Sequence, residues 1–312
     1  MRILTINCGS STLKFELFEA ADGEQSLARG VVDRISGRGS AELISPSGER
    51  TVRSVAAADH GEAALRAIRL LDSSALLVGL EAVGHRVVHG GARYSGPVVL
   101  DAGVEEAIAE LAPLHNGPAL AAIRAAREVL GPGIPQVVCF DTAFHTRMPR
   151  VARLFALPRR LADEGVLRYG FHGLSYEYVM GELRALDPVA AAGRILIAHL
   201  GNGASMVAVR GGVGVDTTMG FTPVGGLVMG TRSGDLDPGV LLYLLEEKEL
   251  SPTEVSDLVN KQAGHLGVSG TSADMRDLLE READDPRAVE AVAIFCYQAK
   301  KFLGALAAAL GP

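Results

Sequence analysis

The sequence predicts an α/β protein of two domains with related topology. Three observations carry this. Short apolar strands alternate with amphipathic helices, a strand–turn–strand unit occurs once in each half, and 312 residues amount to about two domains. Ile3–Ile6 is a short apolar strand, Asn7–Thr12 a cluster of turn residues, and Leu13–Phe18 alternates apolar with polar residues, so the chain opens on a hairpin. Leu65, Ile68 and Leu71 fall at helical spacing, as do Val104, Ile108 and Leu111 within Gly103–Leu114. Pro118 opens a further helix that runs to Leu130 and stops at Gly131-Pro132. Pro135–Phe140 reads as a buried strand ending at Asp141. In the second half Arg194–Leu200, the turn Gly201–Ser205 and Met206–Arg210 repeat the opening layout, and Pro286–Leu310 forms a long helix followed by Gly311-Pro312. The hairpins make the sheets mixed rather than purely parallel. The junction falls shortly after Asp141, giving domains 1–145 and 146–312, each offering one turn to a shared cleft.

Composition narrows the function classes. A formal net charge of −7 argues against a nucleic-acid partner. The chain has no run of eighteen consecutive apolar residues, and Met1–Gly9 turns polar too early for a secretory leader, so no membrane partner is expected. Three scattered cysteines, Cys8, Cys139 and Cys296, form no disulfide framework. These features read as a reduced, cytoplasmic protein. The 37 glycines, about 12% against a typical ~7%, imply many tight turns and close backbone approaches.

The chemistry-bearing residues favour anions. In Asn7-Cys8-Gly9-Ser10-Ser11-Thr12-Leu13-Lys14, Gly9 lets N–H groups converge, and three hydroxyls and an ammonium add donors suited to phosphate. His199-Leu200-Gly201-Asn202-Gly203-Ala204-Ser205 has the same make-up. The first alone is equally well an ordinary hairpin turn, and the second, with Asn-Gly, is more often one; two in matching positions favour a phosphate clamp. Arg86 lies in a short strand within Gly84–Gly91, and Arg232 in a glycine-flanked loop beside Asp235 and Asp237. Arginine forks suit carboxylate and phosphate oxygens, although either arginine taken alone is more often a surface ion pair. His85 and His89 read as neutral core histidines. His172 lies on the loop entering a helix that Ser175 can cap, where the positive end of the helix dipole favours a neutral donor. Asp141 ends a buried strand, where α/β proteins often place functional carboxylates, or serves as a loop cap. No CxxC, H-E-x-x-H or G-x-S-x-G motif occurs. The set favours phosphoryl transfer, in which positioning and charge neutralisation do most of the catalysis.

These segments, with Leu111–Asn116, Phe140–His145, Arg168–Gly173 and Asp216–Pro238, resemble in order and spacing the signatures of the acetate kinase family. The resemblance covers nearly the whole chain. It implies two duplicated ribonuclease-H-like domains of the sugar kinase, heat-shock chaperone and actin superfamily, with the nucleotide between them. It implies reversible phosphoryl transfer between ATP and acetate, giving ADP and acetyl phosphate, with magnesium (or manganese) as the metal and a homodimer formed through the C-terminal domain. Carried over by motif, Asn7 positions the metal, and Arg86 and Arg232 hold the carboxylate and the transferring group. Asp141 orients substrate or metal, and His172 donates to the transition state. Ser10, Thr12, Lys14, His199, Asn202 and Gly203 lie along the nucleotide phosphates, and Asp274, Met275 and Arg276 on its adenosine side. Val88, Leu114, Phe171 and Pro223 line a small apolar pocket for the acetate methyl, beside Arg86. Leu174 and Tyr176 depart from the family's commoner Thr and His. The family also continues beyond Gly311 into an adenine loop, a metal-linked glutamate and a closing helix, so the C-terminal domain reads as incomplete and the 312-residue chain is expected not to turn over. The alternatives are a propionate or butyrate kinase, a truncated nucleotide-binding protein without turnover and, least, a sugar kinase, since a neutral sugar offers the arginines no carboxylate.

Overall fold

The computed structural model describes residues 1–9, 11–21, 23–111 and 115–311, and the chain divides into two compact units, Met1–Ala143 and Phe144–Pro312. Two of the sequence-derived site residues, Ser10 and Leu114, lie outside the described residues.

The first unit contains β1 (Arg2–Cys8), β2 (Leu13–Ala20), β3 (Glu24–Val32), β4 (Gly37–Ile44), β5 (Arg50–Ala57), α1 (His60–Ser73), β6 (Leu80–Val87), β7 (Val98–Val99), α2 (Ala102–Glu110), α3 (Gly117–Leu130) and β8 (Gln136–Phe140). Its eight described strands form one sheet in the order β5-β4-β3-β2-β1-β6-β8-β7. β1 runs antiparallel to β2 and parallel to β6, and β6 parallel to β8, so this sheet is mixed. Alternation in β1 and β2 turns Leu4, Ile6, Cys8, Leu13, Phe15 and Leu17 inward, where they form a core with Ala64, Ile68 and Leu71 of α1. Each fully buried Leu or Ile contributes on the order of 1.5–3 kcal/mol there. The same alternation puts Asn7 and Lys14 on the other face, exposed and paired in register.

β3, β4 and β5 have no counterpart in the sequence reading. Their outward positions carry Arg, Glu and Ser, and few inward positions carry a large apolar side chain, which leaves the period-two signal faint. The hairpin at the start, the helix around Leu65–Leu71, the proline-opened helix and the strand before Asp141 occur as expected.

The second unit contains α4 (Arg150–Arg153), α5 (Arg159–Asp163), α6 (Gly173–Leu186), α7 (Pro188–Ala191), β9 (Arg194–Leu200), β10 (Ala204–Arg210), β11 (Val213–Thr217), α8 (Pro238–Glu246), α9 (Pro252–Asp257), α10 (Gly264–Ser269), α11 (Met275–Arg281) and α12 (Pro286–Leu310). Its three described strands, in the order β11-β10-β9, pair antiparallel. β10 is buried along six consecutive residues, since α12 packs on it while Tyr176 and Met180 of α6 join its core. By length and composition alone α12 is apolar enough to cross a membrane, a property that core helices of soluble proteins share, so it is weak evidence against the expectation of no membrane partner. It packs on β9, β10, β11, α10 and α11. Arg194 donates to the Gly311 carbonyl at 3.0 Å and Arg210 to that of Leu310, so cations close its C-terminal end.

His85 and His89 are buried and partnered. His85 Nε2 meets Gln136 Oε1 at 2.7 Å, and His89 Nδ1 accepts from the Gly91 N–H at 2.9 Å. Burial pushes the pKa of each down to about 4, opposed at His85 by the Gln136 hydrogen bond and assisted at His89 by the charge of His115. The unfolded chain therefore binds more protons than the folded one between about pH 4 and 6.5, and stability rises with pH through that window. Their contribution is complete above the unfolded value and is lost as pH falls towards the folded one. The melting temperature is expected to fall between pH 6.5 and 4, and His85→Gln to remove about half of this dependence.

Candidate active site

Strand register assembles the first group of side chains. Asn7 on β1 pairs with Lys14 on β2 and with Arg86 on β6, so Lys14, Asn7 and Arg86 form a row across three adjacent strands. β8 then delivers Asp141 just beyond its last residue. Arg86 grips Asp141 with both arms of its fork, Nε to Oδ1 at 2.9 Å and Nη2 to Oδ2 at 2.6 Å, and donates through Nη1 to Asn7 Oδ1 at 2.9 Å. Asp141 is 1% exposed. Burial alone would lower the pKa of Arg86, but the charge and hydrogen bonds of Asp141 outweigh it and hold the guanidinium above its usual range. Burial pushes the Cys8 thiol up to about 12, against the pull of Arg86, so Cys8 stays a thiol and is no nucleophile.

The turn between β1 and β2 closes through the Gly9 N–H to the Thr12 carbonyl at 2.8 Å. A Cβ on Gly9 would lie 2.9 Å from Thr12 Oγ1, so a larger residue there would make the Thr12 side chain shift. His60 Nε2, at the start of α1, holds the Gly9 carbonyl at 2.8 Å. Val88 is half-buried just past β6. Asn116, fully buried, accepts from the His89 N–H at 2.9 Å and donates to the His89 carbonyl at 2.8 Å, which pins the chain directly after Val88.

The second unit assembles another group. His172 is itself the N-cap of α6, in the left-handed region at φ 59°, and its carbonyl accepts from the Ser175 and Tyr176 N–H groups. Ser175 therefore does not cap the helix; its hydroxyl meets His199 Nδ1 at 3.0 Å instead. The His172 and His199 rings stack with centroids 4.1 Å apart at 24°. His199 pairs with Ser205 across β9 and β10, and Ser205 Oγ lies 2.8 Å from His172 Nδ1. A Cβ on Gly203 would lie 3.4 Å from both His172 Nε2 and Arg232 Nη1, so the two groups converge on the Gly203 backbone. Arg232 also donates to the Pro223 carbonyl at 3.1 Å. Asn202 is exposed, and its carbonyl accepts from the Gly230 N–H at 3.1 Å. Pro223 is buried, and the Phe171 ring is 1% exposed in the interior of this unit.

The structure thus groups Lys14, Asn7, Arg86 and Asp141 in the first unit, and His172, His199, Gly203 and Arg232 in the second. Asp274, Met275 and Arg276 follow Ala273, whose carbonyl, like Asn202 Oδ1, borders Gly230: a Cβ there would lie 3.1 Å from it. Asp274 caps the seven-residue α11 by accepting from the Arg276 N–H at 2.8 Å, and Arg276 is exposed. That backbone bond first, then the side-chain bond from Arg276, lowers the Asp274 pKa. Arg168 carries no role in the sequence reading, although it opens the family-like segment Arg168–Gly173. Its Nη1 donates to the carbonyls of Thr217, Thr218 and Met219 at 3.2, 3.4 and 3.2 Å, clamping the strand end that leads to Pro223.

A model of the acetokinase family matches residues 2–312. The chain belongs to the acetokinase family. An acetate kinase of Rhodopseudomonas palustris is 46% identical over 321 residues, covering 99% of this chain and 79% of that protein. The crystal structure of Porphyromonas gingivalis acetate kinase matches with a TM-score of 0.88 at 39% identity, over 99% of this chain and 80% of that one. A propionate kinase structure from Francisella tularensis matches with a TM-score of 0.91 at 35% identity, over 98% of this chain and 79% of that one. The chain thus spans about four fifths of the length of these acetokinase relatives. The likeness is consistent with the duplicated ribonuclease-H-like fold, and it marks the chain as a kinase, a phosphotransferase with a carboxyl acceptor.

Proposed function

We propose, against the expectation of no turnover drawn from the sequence, that this chain transfers the γ-phosphoryl group of ATP to acetate, reversibly, giving acetyl phosphate and ADP. The observation that carries this reading is the convergence of Arg232 Nη1 and His172 Nε2 on Gly203, two side-chain donors beside a glycine-lined turn. In direct in-line transfer an acetate oxygen bonds to the γ-phosphorus as the bond to the β-bridging oxygen breaks, and charge gathers on the equatorial oxygens. Arg232 and His172 are read as donors to those oxygens. Arg86, whose guanidinium Asp141 and Asn7 hold in place, is read as the group that holds the acceptor carboxylate or the transferring group. Lys14, Ser10, Thr12, His199, Asn202 and Gly203 are read as nucleotide-phosphate contacts, and Asp274, Met275 and Arg276 as contacts on the adenosine side.

The family implies ATP or ADP as substrate and a divalent metal. We read the metal as magnesium arriving on the nucleotide phosphates, because Arg86, a cation, already bonds Asn7 Oδ1 and both oxygens of Asp141. Asn7 then orients the arginine, and through it the phosphates. A homodimer through the second unit is supported by the exposed apolar residues Val240, Leu242 and Tyr243 of α8. The direct test is acyl phosphate formation from ATP with a panel of acids. Acetate is expected to give the highest kcat/KM, and absence of turnover with every carboxylate would refute the reading.

Chain length is a separate matter, since the matched Francisella tularensis structure is that of a propionate kinase. Val88, Leu114, Phe171 and Pro223 are read as the acyl pocket. An extra methylene in a tight pocket is worth roughly 1–3 kcal/mol. Val88→Ala is expected to raise kcat/KM for propionate relative to acetate, measured with both acids at saturating ATP; an unchanged ratio would place Val88 outside the pocket.

A further inference from the structure

We propose that Tyr176, acting through Ser205, is a positioning residue that keeps the His172 ring in the tautomer with its proton on Nε2. This rests on the reading of His172 as a donor to the phosphoryl group. The side chains form one chain of contacts: the Tyr176 hydroxyl bonds Ser205 Oγ, and Ser205 Oγ lies 2.8 Å from His172 Nδ1. Tyr176 and Ser205 are both 0% exposed. The Tyr176 ring is fixed in turn, tilted at 6.0 Å against Phe144 and edge-on at 5.8 Å to His145.

A serine hydroxyl has one proton to give and two lone pairs to receive with. A phenol, with an ordinary pKa near 10, is a stronger donor than an alcohol. The favoured order therefore runs from Tyr176 O–H into Ser205 Oγ, and from Ser205 O–H into His172 Nδ1. Nδ1 is then an acceptor, and the ring proton resides on Nε2. Stacking on His199 sets the plane of the imidazole, and Ser205 sets which edge faces inward. Nε2 is left on the edge beside Gly203 and Arg232 Nη1. Both groups there offer N–H to phosphoryl oxygens, which only accept. The opposite tautomer would present a lone pair at that place and repel them.

His172 selectively labelled with ¹⁵N in the full chain gives the direct readout, with His172→Ala identifying its signals. In the parent chain Nε2 is expected at the protonated position and Nδ1 at the unprotonated one, near neutral pH. In Tyr176→Phe, which removes only the hydroxyl, the two shifts are expected to move towards each other as the tautomers mix. The kcat is expected to fall about threefold to tenfold, a fraction of the 10²–10³-fold that loss of a whole donor costs, with KM for ATP and acetate within twofold. In a His172→Ala background the same substitution is expected to cost nothing further. Ser205→Ala breaks the same chain of contacts one step nearer the ring and replaces Tyr176→Phe if that variant does not fold. A protonated Nδ1 in the parent chain, unchanged shifts in both variants, or a kcat loss that persists without His172 would overturn the proposal. If His172→Ala alone leaves kcat intact, the donor reading of His172 falls, while the nitrogen shifts still decide whether Tyr176 sets the tautomer.

Discussion

Arg232→Ala is expected to lower kcat on the order of 10²–10³-fold, the usual effect of removing one donor aimed at charge that develops in the transition state. The side chain leaves the glycine-bounded loop towards Gly203, beside His172 Nε2, and Nη1 also donates to the Pro223 carbonyl. Arg232→Lys is expected not to restore the rate, because an ammonium cannot reproduce the planar fork. Steady-state kinetics with ATP and acetate varied separately make the check. A rise in KM with kcat unchanged would make Arg232 a ground-state binding group and end its role in the transition state.

Loss of the Asp141 carboxylate is the second large effect. Asp141→Ala strands the Arg86 guanidinium against a buried strand end, and unpairing a buried ion of this kind costs about 3–5 kcal/mol. Arg86 retains some exposure, with 26% of its side chain accessible, which places the expected loss near the lower figure. Urea unfolding measures it. Arg86→Met combined with Asp141→Leu separates structure from catalysis, since an apolar pair of similar volume removes both charges together. That double variant is expected to unfold close to the parent midpoint and to have no measurable turnover. If it kept its activity, Arg86 would be a purely structural partner of Asp141.

The fold was legible where one periodicity dominates. Ile3–Ile6 and Leu13–Phe18 alternate cleanly and form β1 and β2, and the Pro118 start and Gly131 stop bracket α3. Glu24–Ala57 was not legible, since three strands there show polar residues on one face and small ones on much of the other. In the candidate site the residue types were legible and their partners were not. Arg86 and Asp141 are 55 residues apart, and only the parallel pairing of β6 with β8 brings them together. The cap of α6 was misread because Ser175 is the better N-cap residue by type. His172 instead takes the left-handed conformation, and the Ser175 hydroxyl turns to His199. Tyr176 was visible only as a departure from the family pattern, since nothing in the sequence places its hydroxyl on Ser205.

Because Lys14, Asn7 and Arg86 lie side by side on three neighbouring strands, their common face depends on parity. A slip of one residue in β1 would turn Asn7 inward and drive Cys8 out, and a one-residue slip in β2 would bury Lys14. Length changes in the short connection at 9–12 are therefore expected to behave as all-or-none changes, odd insertions inverting one strand against its neighbour. Substitutions at the same connection can be graded. Selection on this part of the molecule would then read the number of residues between Cys8 and Leu13 more strictly than their identity.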